Sequence, residues 1–349
     1  MSRTGNRSIV RFKFGPDFAP QTVAEFKRVR GLPQSPLLHP TPGLVAGRVE
    51  AFKRTVNEIV PRGTIVSIWP AIEMATMLAH VAPDRFGPES GVAYTTDRGA
   101  NTVRAKTLRR ANGNFDIVVH GDCFVNMRED SEENVEVKTR LLAHLAAHEP
   151  QHIVLALAGL DSDDVAEAAR GESPTVNDLL PAVAEAVTEY QCEVAANRIA
   201  VSPFPHDAAS LADDLAKFRQ SLTVSVNTAD SDRYQACITV LTAAKELVKG
   251  VAYAAAYRFY DDLGDRSSPD PKPEQWDYYI SELWPDLLDL FAAVPAAGEP
   301  IEAVALGATV YAMTERVLHW LEDIGVTYLV EIENDEWLRS CWWDVPEPI

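Results

Sequence analysis

Apolar side chains recur at every third or fourth position in several long stretches of the chain, which is the period of an amphipathic helix. The first such stretch follows Pro42 and is stopped by Pro61-Arg62-Gly63. Further stretches of this kind predict helices at about residues 134–157, 179–200, 207–222, 230–263, 276–292 and 301–323. Most of the chain after residue 130 is therefore predicted to be helical.

Extended segments are predicted between the first helix and residue 130. Residues 64–69 predict a short strand, and residues 91–107 and 114–124 predict two longer extended runs. The break Ala111-Asn112-Gly113 between the longer runs contains Asn-Gly, which is typical of a tight hairpin turn. The first part of the chain thus combines helices with a predicted hairpin.

These elements divide the chain into two predicted domains. Residues 1–205 contain the predicted strands and form a small mixed α/β unit. Residues 206–349 contain helices and an acidic tail with Trp337, Trp342 and Trp343, which we interpret as packing on the core. A length of 349 residues is enough for two or three domains with sizeable cores.

The composition is that of an ordinary globular protein, with 46% hydrophobic and 24% charged residues. The net charge of −19 argues against a nucleic-acid-binding surface, because phosphate binding requires clustered Lys and Arg. Apolar runs such as residues 153–160 are much shorter than the about 20 residues that a membrane-spanning helix requires. We therefore expect neither nucleic-acid nor membrane partners.

The cysteines and the N-terminus favour a cytoplasmic protein. The four cysteines are far apart, form no Cys-x-x-Cys pair and are too few for a disulfide scaffold, which indicates a reducing compartment. The N-terminal residues 1–15 lack the apolar stretch of a signal peptide. The sequence gives no indication of the oligomeric state.

The candidate chemistry centres on His148-Glu149-Pro150-Gln151-His152, an HExxH motif within the helix predicted at about residues 134–157. Residues four apart lie on the same face of a helix, so His148 and His152 can bind one metal ion. Glu149 is then placed to take a proton from a water molecule at that metal. These features predict a Zn2+ site with Glu149 as the catalytic base.

A third metal ligand is expected, because catalytic zinc sites usually have three protein ligands and one water molecule. Glu193, in the helix predicted at 179–200, fits this role if the two helices pack together. Asn197 lies one turn further on and is expected to hydrogen-bond a ligand histidine and fix its orientation. Glu189, one turn before Glu193, is a competing candidate for the third ligand.

The two motifs together resemble those of the ImmA/IrrE family of intracellular zinc metallopeptidases. The matching segments are residues 148–152 and Glu193–Ala200 (EVAANRIA), and the likeness covers about residues 114–205. It implies an α+β fold, in which a zincin-like unit combines a small antiparallel sheet with active-site helices and is followed by a mostly helical C-terminal part. It also implies that the two motif histidines and Glu193 bind zinc and that Glu149 is the general base.

The resemblance further implies a protein or peptide substrate, such as a regulatory protein. An extended peptide is held well when it pairs with an exposed sheet edge. The run Phe115–His120 precedes the active-site helix and predicts a strand, which we expect to be that edge.

Pro150 keeps an alternative function open. A proline within a helix removes the backbone bond to the Ala146 carbonyl and predicts a kink at Glu149, the catalytic residue itself. The alternative is a catalytically degenerate protein that kept the zincin-like fold and serves as a metal-binding or protein-interaction module.

Other chemistry-bearing residues have simpler interpretations. His144 extends the histidine row by one turn and is interpreted as a surface or helix-packing residue. His120 and Cys123 are interpreted as ordinary residues at a strand end, whereas His206 leaves open a contact with the substrate. The acidic run 261–265 matches a magnesium-binding DDxxD pattern but is interpreted as a solvated helix end.

Overall fold

The fold falls into two compact units. Met1–Ala156 and Ala195–Pro203 form the first unit, and Leu157–Val194 and Phe204–Ile349 form the second. Residues 157–194, which the sequence placed in the first predicted domain, thus belong to the second unit. The computed structural model describes residues 8–13, 43–44, 46–87, 97–98, 101–102, 104–126, 130–204, 206, 208–229, 232–260, 267–333 and 336–343.

In the part of the chain that the structure describes, the first unit contains strands and four α-helices. Its strands are β1 (Ile9–Phe12), β2 (Gly43–Leu44), β3 (Ile65–Ala71), β4 (Asp97–Arg98), β5 (Asn101–Thr102), β6 (Ala105–Arg109), β7 (Phe115–His120) and β8 (Val125–Asn126). Its helices are α1 (Ala46–Ile59), α2 (Met74–Val81), α3 (Pro83–Phe86) and α4 (Glu132–Ala158). Only the last two residues of α4 are assigned to the second unit.

Four of these strands form a mixed sheet in the order β1-β3-β7-β6. β3 is parallel to both β1 and β7, whereas β6 and β7 are antiparallel. The expectation of an antiparallel sheet is therefore wrong outside the β6–β7 hairpin. Parallel neighbours need long crossover connections, and α1 and α2 lie within those connections here. The predicted hairpin turn is confirmed, with Gly113 at a φ of 78° that favours glycine.

β7 is an internal strand of this sheet. Because it lies between β3 and β6, the prediction that Phe115–His120 forms an exposed edge is wrong. Phe115 to Val119 are all buried, so both faces of the strand are covered, and this accounts for the weak alternation in its sequence. Among the strands that the structure describes, β6 is at the edge on this side of the sheet.

Helices cover both faces of the sheet. On one face, Ile117 of β7 belongs to a core that includes Phe52 of α1 and Leu145 of α4. On the other face, Val118 packs in a smaller core with Met77 of α2. Successive residues of a strand point to opposite faces, so β7 contributes to both cores. α4 is thereby fixed against the sheet beside β6.

The described residues of the second unit form helices and one hairpin. Its elements are α5 (Ser162–Ala169), α6 (Pro174–Asn197), α7 (Ala208–Thr228), α8 (Arg233–Phe259), α9 (Trp276–Tyr279), α10 (Leu283–Ala292), α11 (Ala303–Asp323), β9 (Val326–Glu333) and β10 (Glu336–Trp343). α6 is one unbroken helix, although its last turn, Ala195–Asn197, is assigned to the first unit. The helices predicted at 179–200, 207–222 and 301–323 are confirmed here, and the one predicted at 230–263 is confirmed as far as Phe259. The helix predicted at 276–292 is interrupted between α9 and α10.

The tryptophan-rich segment at the end of the chain forms a hairpin. β9 and β10 pair in antiparallel register, and a disulfide joins Cys341 of β10 to Cys237 of α8. This pair runs against the expectation of a reducing compartment, which rested on the small number of cysteines. Residues 261–265, with the DDxxD pattern, lie outside the described residues. Within the described ranges, no helix combines the length and the apolar character needed to cross a membrane.

Candidate metal site

α4 presents three histidines at four-residue intervals on one face. Its first turn is favoured by Ser131, whose Oγ accepts a hydrogen bond from the Asn134 amide at 3.2 Å. The imidazole centres of His144 and His148 are 5.8 Å apart, and those of His148 and His152 are 5.1 Å apart. The first two histidines are buried and the third is half-buried. The two motif histidines thus lie side by side, as their spacing predicted.

The Nε2 atoms of the two motif histidines face each other. Nε2 of His148 lies 3.3 Å from Nε2 of His152. Two nitrogen ligands at 2.0–2.1 Å from a tetrahedral zinc ion stand about 3.3–3.4 Å apart. The separation of these two atoms therefore fits a shared zinc ion.

Glu149 lies between the two motif histidines in the sequence and is buried. A side chain of the sheet hydrogen-bonds it. Oγ1 of Thr107, on β6, lies 2.7 Å from Oε2 of Glu149 and 3.0 Å from the Glu149 carbonyl oxygen. α4 is helical through Pro150, although that residue has no amide to donate to Ala146. The kink predicted at Glu149 stays a prediction.

The end of α6 and the turn after it lie against α4 within the first unit. Nδ1 of His144 is 2.9 Å from the carbonyl oxygen of Ala200, and Oδ1 of Asn197 accepts a hydrogen bond from the Ser202 amide at 2.9 Å. Asn197 is buried and shapes this turn. Its predicted bond to a ligand histidine stays a prediction.

The histidines of α4 and two glutamates of α6 have the donor atoms that a metal ion such as zinc requires. His144, His148 and Glu193 are buried candidate ligands, and His152 and Glu189 are further candidates.

Within the second unit, Glu189 is engaged by two side chains of α8. The Tyr253 hydroxyl donates to Oε2 of Glu189 at 2.8 Å, and Nζ of Lys249 lies 3.1 Å from Oε1. Burial lowers the pKa of Lys249, but Glu189 and Glu185 outweigh that effect and raise it above its ordinary value. Burial and the same carboxylates, with Glu193 beside them, raise the pKa of Tyr253 well above its ordinary value. Glu189 is thus an ion-paired carboxylate.

The remaining predicted candidates have contacts of their own. His206 stacks on Tyr253, with ring centres 4.8 Å apart. His120 is the last residue of β7, and its Nδ1 lies 3.4 Å from Oδ2 of Asp122. Burial raises the pKa of the Cys123 thiol to about 11, which disfavours the thiolate that a metal ligand requires.

Sequence reasoning missed three residues of this region. His144 was interpreted as a surface or packing residue, although its position four residues before His148 was the signal that could have identified it. Thr107 and Lys249 carry no motif, and only the folded chain brings them to Glu149 and Glu189.

Comparison of the chain with family models, curated proteins and solved structures finds no match.

Proposed function

We propose that the protein is a zinc-dependent metallopeptidase of the ImmA/IrrE type that cleaves a protein or peptide substrate. The observation that carries the proposal is the 3.3 Å separation of Nε2 of His148 and Nε2 of His152, in a helix that also holds the buried Glu149. Two histidines alone leave zinc with open positions, so a carboxylate of α6 is needed as a third ligand.

Glu193 is the better candidate for that third ligand. Glu189 already accepts from Tyr253 and pairs with Lys249, and moving it to a metal would leave the half-buried Lys249 with a weaker counter-charge. Glu193 is buried and, like His148, is a candidate metal ligand. The proposed ligands are therefore His148, His152 and Glu193, with a water molecule in the fourth position.

The chemistry divides between the metal and the chain. A bound zinc ion supplies a Lewis acid that polarises the scissile carbonyl and lowers the pKa of adjacent water. Glu149 takes the proton from the attacking water and returns it to the leaving amine as a general acid. The buried position of Glu149 shields this transfer from bulk solvent.

In this proposal, an extended peptide substrate pairs with the outer edge of β6. The amide of His120 donates to the Arg104 carbonyl, and this bond sets the alternation of hydrogen-bonded pairs along β6 and β7. In an antiparallel pair the intervening residues direct their amides and carbonyls away from the partner strand. Ala105, Thr107 and Arg109 are these residues, so their backbone groups face the edge where a peptide strand can pair.

A second candidate function is a catalytically degenerate module that binds a metal or a protein partner. Pro150 favours it, because proline at the residue after the base disfavours ordinary helical geometry there. A degenerate module that binds a metal has the same metal content as a peptidase, so metal content alone does not separate the two functions.

The test is hydrolysis of a pool of fluorescence-quenched peptides by the full chain. A metallopeptidase is expected to cleave peptides from this pool, to stop when the metal is removed by a chelator and to recover when zinc is restored. A protein that binds zinc but cleaves neither these peptides nor co-expressed regulatory proteins would support the degenerate module instead.

A further inference from the structure

The carboxylate of Glu149 is held by a hydroxyl group from outside its own helix. Oγ1 of Thr107 lies 2.7 Å from Oε2 of Glu149 and 3.0 Å from the Glu149 carbonyl oxygen. An ionised carboxylate and a carbonyl only accept hydrogen bonds, so the threonine hydroxyl is the donor. The shorter distance indicates that the threonine hydroxyl donates mainly to Oε2. This bond fixes a side chain that has three rotatable bonds of its own.

The position of Thr107 in the sheet gives this bond a second consequence. Thr107 pairs with Ile117 at a site in the β6–β7 ladder where its own amide and carbonyl face the open edge. The side chain of Thr107 therefore reaches Glu149 while its backbone faces the edge proposed for the peptide. One residue of β6 links the place of the substrate to the orientation of the base.

We propose that Thr107 is a positioning residue for the reaction: its hydroxyl holds Glu149 in the orientation from which it accepts a proton from water. The inference rests on the proposed function, which makes Glu149 the general base. Thr107 touches Glu149 and acts through it. A base held in its reactive orientation before the substrate arrives avoids the loss of rate that comes with misplacement.

The test compares Thr107→Val and Thr107→Ser in the full-length zinc-loaded protein. Valine keeps the β-branched shape of threonine but cannot donate, whereas serine restores the hydroxyl. We expect Thr107→Val to keep its zinc and its KM within about twofold and to lose roughly 10- to 100-fold in kcat. Thr107→Ser is expected to recover kcat to within about threefold of the wild type.

A binding measurement gives a readout that does not depend on turnover. A peptide hydroxamate that chelates zinc can donate its hydroxyl group to Glu149, so its dissociation constant reports how that carboxylate is oriented. We expect Thr107→Val to weaken this binding by about tenfold and Thr107→Ser to restore it. Calorimetric titration with the hydroxamate measures both constants.

Thr64→Val is the matched control, because Oγ1 of Thr64 donates to the Pro61 carbonyl at 2.6 Å in the same unit. It is expected to change stability but neither kcat nor hydroxamate affinity. If Thr107→Val does not fold, Thr107→Cys provides a side chain of similar size with a weaker donor, and its kcat and affinity are expected to fall in the same direction.

The outcomes separate this inference from the proposed function. If the wild-type zinc protein cleaves no peptide, the proposed function fails, and the hydroxamate affinities still decide the role of Thr107. If Thr107→Val keeps both kcat and hydroxamate affinity at wild-type values with equal zinc content, the inference is overturned.

Discussion

Nδ1 of His144 lies 2.9 Å from the carbonyl oxygen of Ala200. A carbonyl only accepts, so Nδ1 carries the proton, and in the neutral ring Nε2 keeps the lone pair that a metal ligand needs. A backbone carbonyl that orients a histidine in this way is a common support for metal ligands. His144 therefore has the chemistry of a ligand although it lies outside the HExxH motif.

The ligand set can be tested by comparing His144→Ala with His152→Ala. The proposed ligands are His148, His152 and Glu193, so His152→Ala is expected to lose most of its zinc while His144→Ala keeps it. His144→Ala loses the bond to Ala200, which costs about 0.5–1.5 kcal/mol of stability. Metal analysis after dialysis measures the zinc content. Zinc retained in His152→Ala but lost in His144→Ala would assign the metal to His144, His148 and Glu193.

The choice between the two glutamates of α6 gives a second prediction. Glu193→Gln is expected to lower zinc affinity by more than the about 10- to 100-fold that loss of an outer-shell partner costs. Glu189→Gln should keep the metal, because Glu189 is committed to Lys249 and Tyr253. Competition with a chromophoric chelator measures both affinities. A larger loss in Glu189→Gln than in Glu193→Gln would reverse the assignment.

Local patterns predicted the parts of the fold that depend on local chemistry. The helix with HExxH and the Asn-Gly turn follow from side-chain period and from the freedom of Gly113. Strand order depends on contacts distant in sequence, and this is why Phe115–His120 was predicted as an edge although β6 covers it. A nearly continuous apolar run is as typical of a buried internal strand as of an edge strand beside a cleft.

In the candidate site, too, local spacing could be predicted from the sequence and tertiary contacts could not. The spacing of His148 and His152 along a single helix was enough to predict that they lie together. Thr107 is 42 residues from Glu149 in the sequence and has no periodic relation to it. Lys249 reaches Glu189 only because α6 and α8 pack together within one unit. Such contacts depend on tertiary structure and leave no mark in a single sequence.

Asp178 gives a prediction about stability and pH within the second unit. It accepts hydrogen bonds from Arg339, with Nε at 2.9 Å, and from Tyr328. Burial raises the pKa of Asp178, but the bonds from Arg339 and Tyr328 outweigh that effect and lower it below the ordinary value of 3.8. A lowered folded-state pKa contributes stability above the unfolded pKa, and this contribution is lost as the pH falls through the folded pKa.

We therefore expect Asp178→Asn to lower the free energy of unfolding by about 1.5–3 kcal/mol at pH 7. The difference from the wild type should shrink at pH values below 3.8. Asp277→Asn is the control, because Asp277 pairs with Lys272 at the surface and should contribute little. Urea unfolding at pH 7 and at low pH measures the effect. A difference that does not change with pH would contradict the ionic role of Asp178.

The most direct test of the central claim is the Glu149→Gln variant in its zinc-loaded form. Glutamine keeps the size of the side chain and can still accept a bond from Thr107, but it cannot take a proton from water. We predict a wild-type zinc content, a wild-type melting temperature and peptide hydrolysis reduced by at least about 100-fold, the scale of general base catalysis. Hydrolysis of the quenched peptides at the wild-type rate by this variant, with zinc bound, would contradict the account.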